Sequence, residues 1–150
     1  MTPYSVELFL KKHYRIALDT SVFIYFIESH PDYFPLCNRL FEAVEHYHNK
    51  ASTSTLSLLE VLVQPYRMNN EELAIKFYAL MSTYPHLTWL DMSLNIADLA
   101  ARLRAKYRLR TPDSIQAASA ISSGATGFIC NDRAFKKIKE IDVLVLEECL

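Results

Sequence analysis

At Ile16-Ala17-Leu18-Asp19-Thr20-Ser21, three small or apolar residues run into an acid and two hydroxyls, and Val22-Phe23-Ile24-Tyr25-Phe26-Ile27 follows without a break. A short apolar run of this kind suits a strand buried on both faces, as in a parallel sheet. The second half is too long and too polar at its start to prolong that strand, so it is expected to turn into a helix. Asp19 then stands at the carboxyl end of a central strand, where open α/β sheets gather their ligands. The plainer role for an acid there is an N-cap, its carboxylate accepting an N–H from the next turn. What separates the two readings is whether other carboxylates converge on Asp19.

The rest of the chain repeats the alternation. Ser5 to Tyr14 has the spacing of a short amphipathic helix, and residues 1–14 read as an N-terminal helical extension ahead of the core. Leu36, Leu40, Phe41, Val44 and Tyr47 recur at helical spacing, and Ala51 to Ser54 follows as a second strand. Leu56 to Val63 is expected to be helical and to stop before Pro65. Asn69-Asn70-Glu71-Glu72 opens another helix; Leu87 to Asp91 reads as the third strand, and Ser93 caps a helix ending near Tyr107. Thr111-Pro112-Asp113 opens the next, with Gly124 past its end; Thr126 to Cys130 and Val143 to Leu146 supply two more strands around a short helix at Arg133 to Lys139. Strands alternating with helices predict a three-layer α/β/α sandwich around a parallel sheet of about five strands, one domain over residues 1–150.

Composition mainly excludes. With two glycines among 150 residues, neither a dinucleotide-binding glycine loop nor a P-loop can be written. The net charge of −1 gives no overall pull toward nucleic acid, but nine of the sixteen Lys and Arg fall between Arg102 and Lys139, a local bias toward an anionic partner. Cys37, Cys130 and Cys149 are widely spaced and odd in number, which fits no disulfide framework or zinc motif. No run reaches transmembrane length, and the patch around Val6 to Leu10 is bracketed by charge; a reducing, cytoplasmic setting is expected.

Four carboxylates carry the functional argument. Glu60 lies in Leu56-Ser57-Leu58-Leu59-Glu60-Val61-Leu62-Val63, where a buried carboxylate would want a cation and an exposed one could pair with Arg67. Asp113 sits in a first helical turn and Asp132 just past a strand, each a fair match to the helix dipole or a cap. Yet Asp19 and Asp132 both follow strands, and they become neighbours if the strand order reverses between the first and fourth strands. Acids without His or Cys companions suit a hard cation, Mg²⁺ or Mn²⁺, better than zinc. Arg102 and Arg104 read as cations at a helix C-terminus, whereas Arg108, Arg110 and Arg133 are as well placed for RNA phosphates or a partner's acidic segment.

Leu18-Asp19-Thr20-Ser21, Glu60 in Ser57-Leu58-Leu59-Glu60-Val61, Thr111-Pro112-Asp113-Ser114-Ile115-Gln116-Ala117-Ala118-Ser119-Ala120 and Phe128-Ile129-Cys130-Asn131-Asp132-Arg133-Ala134-Phe135 together resemble the successive motifs of PIN domains. These are metal-dependent ribonucleases, best known as the VapC-type toxins of bacterial toxin–antitoxin pairs. The resemblance spans about residues 15 to 147. It implies that Asp19, Glu60, Asp113 and Asp132 hold one or two Mg²⁺ or Mn²⁺ ions, that Ser21 and Asn131 support the cluster with Thr20 assisting, and that RNA is the substrate. It also implies a homodimer and a cognate antitoxin of a type II pair. Two other classes compete: a non-catalytic RNA-binding or interaction module that keeps the fold, and a phospho-accepting receiver-like domain with Asp91 as acceptor. The second leaves Glu60, Asp113 and Asp132 unexplained.

Overall fold

The computed structural model describes residues 5–150; residues 1–4 of the expected extension lie outside the described residues. Ser5 caps helix α1 (Val6–Lys12), its hydroxyl oxygen accepting from the Leu8 amide. In order there follow β1 (Arg15–Leu18), α2 (Thr20–Ile27), α3 (Phe34–Glu45), β2 (Lys50–Ser54), α4 (Thr55–Arg67) and α5 (Glu71–Ser82). Next come β3 (Leu87–Leu90), α6 (Leu94–Tyr107), α7 (Thr111–Ser122), β4 (Gly127–Cys130) and β5 (Asp142–Val145), with 3₁₀ turns at Arg133–Lys137 and Leu146–Cys149.

Among the described residues the strands form one parallel sheet of five in the order β3-β2-β1-β4-β5. From central β1 the chain builds outward to β2 and β3, then returns across α6 and α7 to place β4 and β5 on the other side of β1. The reversal between β1 and β4 is the anticipated switch point, and it opens a crevice beyond the carboxyl ends of those strands. Successive strand residues face opposite ways. Ile16 and Leu18 therefore join Ile129 and Leu144 in a core packed by α1 to α4, while Ala17 joins Phe128, Cys130 and Val145 beneath α6 and α7. Helix α7 buries Ala117, Ala118 and Ala120, small enough to seat it closely between the sheet and α6.

One boundary differs from expectation. Helix α4 does not stop before Pro65 but runs through it to Arg67. Proline there removes the N–H that would bond the Val61 carbonyl, a cost greatest in a helix middle. Here the ring is buried and lies within the last turn, where little of the hydrogen-bond ladder remains to be lost. Asn69, with φ +54°, then reverses the chain, and the Asn70 side chain caps α5 by accepting from the Leu73 amide.

The amino ends of the strands are closed by α1. Buried His13 places one ring nitrogen 2.8 Å from the Thr126 hydroxyl and the other 2.7 Å from the Asp142 carboxylate, joining α1 to the starts of β4 and β5. Buried Asn49 donates to the carbonyls of Leu10 and His13, at 2.9 and 2.7 Å, so the end of α1 is held to the start of β2 as well. Gly127 lies under this cap: a Cβ there would come within 2.6 Å of the Phe9 ring and 2.9 Å of His13 Cγ. Phe9 packs on His13 with ring centroids 4.5 Å apart, and His13 is pinned at both nitrogens, so neither ring yields easily. Gly127→Ala is therefore expected to destabilise the fold by about 1–3 kcal/mol, read as a lower urea midpoint; an unchanged midpoint would show that α1 does not seal this end.

Candidate functional site

Asp19 follows the last residue of β1 and is the N-cap of α2, so the capping expectation holds. One carboxylate oxygen, Oδ1, accepts from both the Ser21 amide, at 2.8 Å, and the Ser21 hydroxyl. Asp19 is nonetheless buried, at 9% exposure. Burial pushes its carboxyl pKa up to about 6 against an ordinary 3.8; the two Ser21 contacts oppose the rise and the charge of Glu60 adds to it.

Of the two readings left open for Glu60, the structure takes the exposed one. Helix α4 is apolar nearly all round, so its pattern does not reveal which stripe faces inward. The structure buries Ser57, Val61 and Pro65 and leaves Leu59 and Glu60 exposed. The Glu60 partner is not Arg67 but Thr20, whose hydroxyl donates to Oε1 at 2.7 Å. Thr20 is held in turn by Gln116, whose side-chain amide donates to the Thr20 hydroxyl oxygen at 3.1 Å and to that of Ser57 at 3.0 Å. The Thr53 hydroxyl donates to the Leu18 carbonyl at 2.8 Å, so the 2.7 Å contact between Thr53 and Ser57 must be donated by Ser57. Every hydroxyl proton in this line is thereby assigned, and the Thr20 proton is directed at Glu60.

Asp113 is reached from the same network. It lies one turn before Gln116 on α7, just as Glu60 lies one turn after Ser57 on α4; residues three apart share a helix face. The inner member of each pair hydrogen-bonds beneath the site, and the outer member is an acid. Helix α7 carries the chain back from the carboxyl end of the sheet to its amino end, so its first turn belongs to the crevice. Both Asp113 oxygens take the Arg110 guanidinium, at 3.0 and 3.3 Å. Asp132 lies just past β4, next to β1 in the sheet, and caps the following 3₁₀ turn by accepting from the Ala134 amide at 2.8 Å.

The supporting residues divide. Ser21 touches Asp19 and Thr20 touches Glu60, as above. Asn131 hydrogen-bonds to other groups: its amide donates to the Tyr25 hydroxyl at 2.9 Å and its carbonyl accepts from the Glu147 amide at 2.8 Å, tying the end of β4 to α2 and to the last turn of the chain. Arg108 ends α6 in the left-handed region, at φ +56°, and Arg133 lies 3.7 Å from Glu147. Asp91 follows β3, the edge strand, with β2 standing between it and β1, so it is not paired with Asp19 as a receiver-like site requires. Thr53, Ser57 and Gln116 were not singled out from sequence. The available signal was a Ser and a Gln three residues from Glu60 and Asp113, on the same helix faces as those acids.

The donors assembled here are carboxylate oxygens, which fit a hard divalent cation. Burial pushes the thiol pKa of Cys130, at the end of β4, well above its usual range. Among the described residues no three His, Cys, Asp or Glu side chains already close around one point. The positive charge against these acids is that of Arg110, hydrogen-bonded to Asp113 and also attracted by Asp132 and Glu60.

Comparison with known proteins agrees with this architecture. Residues 16–141 match the PIN domain family. Solved structures similar to the chain include a toxin–antitoxin complex from Klebsiella pneumoniae, with 20% identity, TM-score 0.66, and coverage of 87% of this chain and 97% of that one. They also include VapBC2 from Rickettsia felis bound to a promoter DNA fragment, with 21% identity, TM-score 0.68, and coverage of 86% and 96%. DNA-bound VapBC from Salmonella typhimurium matches with 18% identity, TM-score 0.65, and coverage of 88% and 98%. A comparison with curated protein sequences returns no match. The chain belongs to the PIN domain family, a family of nucleases.

The raised Asp19 pKa makes a stability prediction. The native state binds this proton more tightly than the unfolded chain does, so the contribution of Asp19 is most favourable below about pH 4, declines between about pH 4 and 6, and is level above. The decline integrates to at most about 3 kcal/mol. Asp19→Asn keeps an oxygen for Ser21 but cannot ionise. In chelated, metal-free buffer its stability relative to the parent should rise from pH 4 to pH 7 by up to that amount. A difference that does not change with pH would show that Asp19 ionises as freely in the folded protein as in the unfolded chain.

Proposed function

We propose that this PIN domain is a Mg²⁺- or Mn²⁺-dependent endoribonuclease in which Asp19, Glu60, Asp113 and Asp132 hold the metal. What supports the reading is placement: Asp19 and Asp132 follow the paired strands β1 and β4, a hydrogen-bond network aims Glu60, and the Arg110 guanidinium that grips Asp113 also feels the charges of Asp132 and Glu60. Two of the four act as caps, but capping explains neither the burial of Asp19 nor the commitment of Thr20 to Glu60.

Each side chain then has a task. Asp19 is fixed by Ser21 and offers a carboxylate from a desolvated position, where its attraction for a cation is least screened. Thr20, steadied by Gln116, sets the direction of Glu60. Asp113 and Asp132 approach from the α7 side and the β4 side. Lewis acidity from a bound divalent ion neutralises charge on the phosphoryl group and lowers the pKa of the attacking water. Arg108, Arg110 and Arg133 follow or precede the elements that bear the acids, and they offer cations to the phosphates flanking the cut.

The biological form we propose is the toxin of a type II toxin–antitoxin pair, a cytoplasmic homodimer restrained by a cognate antitoxin. Likeness in fold to chains from toxin–antitoxin complexes, along nearly their whole length, supports it. Among the described residues no helix is long and apolar enough to cross a membrane.

The test is cleavage of a mixed pool of structured RNAs with Mn²⁺, Mg²⁺ or EDTA, run beside Asp113→Asn. Cleavage that needs metal and falls by about 10²-fold or more in the variant is expected. Cleavage that survives both EDTA and the substitution would reject this site. Metal binding without cleavage of any RNA would favour the non-catalytic module.

A further inference from the structure

Arg110 is the N-cap residue of α7, yet its side chain makes no capping bond. It reaches three residues forward and grips Asp113 with two prongs, Nε to Oδ2 at 3.0 Å and Nη2 to Oδ1 at 3.3 Å, so both carboxylate oxygens are engaged. The partners differ sharply in exposure: 75% for the Arg110 side chain and 14% for that of Asp113. The fold holds the acid in place, while the guanidinium lies almost wholly in solvent and can leave without uncovering apolar surface. Its backbone is steadied independently, because the neighbouring Thr111 hydroxyl accepts from Arg104 at 3.1 Å. The charges of Asp132 and Glu60 also favour the charged form of this guanidinium, after the larger effect of Asp113.

We infer that Arg110 is a built-in competitor for the divalent ion, occupying Asp113 until an ion displaces it and so setting the free-ion concentration at which the site loads. This rests on the metal-binding reading proposed above. The two-pronged contact takes one acceptor site on each Asp113 oxygen and sets a full positive charge against the carboxylate, so an approaching cation meets a partly occupied ligand and electrostatic repulsion together. Because an exposed ion pair is weak, the exchange is reversible and its effect modest. Arg110 thus balances the charge of the acids when the site is unloaded and yields when it is loaded.

Mn²⁺ titration followed by the electron paramagnetic resonance signal of the free ion tests this directly, without RNA or turnover. Arg110→Gln is expected to bind Mn²⁺ about two- to fivefold more tightly than the parent. Arg110→Lys, which keeps the charge without the two-pronged contact, should fall between them. Arg108→Gln removes an equal charge two residues away that does not grip Asp113, and it should bind as the parent does. Equal affinity of Arg110→Gln and the parent, with binding lost in Asp113→Asn, would overturn the inference and leave the metal site standing. A gain in Arg108→Gln equal to that in Arg110→Gln would also overturn it, by showing that net charge alone governs affinity. No Mn²⁺ uptake by the parent or any variant would remove the metal reading itself, and the inference with it.

Discussion

The site depends on one buried line of hydrogen bonds: Leu18 carbonyl, Thr53, Ser57, Gln116, Thr20 and finally Glu60. It joins β1, β2, α4, α7 and α2. Apolar packing is tolerant of direction: a Leu can slide or change rotamer and still be buried. A hydroxyl whose proton has one destination cannot, since an unsatisfied buried donor or acceptor costs about 1–3 kcal/mol. The line therefore converts a loosely specified packing of helices on a sheet into a fixed orientation of two helix faces. Glu60 rides on one of those faces and Asp113 on the other. Gln116 is the pivot because an amide has two N–H donors, one for each hydroxyl.

The two ends of the sheet are built for opposite purposes. At the amino ends, α1 seals the strands with His13 and Asn49, every polar atom there meeting an internal partner. At the carboxyl ends, α2 and α4 start immediately after β1 and β2, and they bring Asp19, Thr20 and Ser54 to the strand tips. A parallel sheet permits this division because all its strands deliver their carboxyl ends to one side, and the reversal between β1 and β4 leaves a crevice there that no crossover covers. Sealing the far end with an added helix leaves the crevice untouched.

Much of this was legible in the chain. The apolar run ending at Asp19, the caps at Ser93 and Asn70 and the alternation of element types are local signals, and the structure keeps them all. The five-stranded parallel sheet follows from that alternation, whereas the reversal between β1 and β4 was only the condition under which Asp19 and Asp132 become neighbours, and the fold meets it. What the pattern concealed was side-chain direction on helices with two apolar faces. Leu56 to Val63 carries hydrophobic residues almost continuously, so nothing in it marks Ser57 as inward and Glu60 as outward. Pro65 misled for a related reason: its local penalty is real, but its burial within the last turn of α4 is a tertiary fact. A supporting role for Asn131 is implied by the family resemblance alone. Only the fold shows that its two ends go to Tyr25 and to the Glu147 amide.

The four acids are unequal, and on the proposed reading that inequality has a physical use. A cation gains most from a carboxylate that water screens least, so Asp19 dominates where the ion sits even though it costs most to ionise. Exposed Glu60 and Asp132 are better hydrated, and they suit adjustment of affinity and coordination more than placement. Asp113 lies between these extremes and is the one gripped by a solvent-exposed cation. On that reading an ion entering this site meets competition from the guanidinium at Asp113, which does not titrate. That competition weakens as ionic strength rises, because salt screens an exposed ion pair.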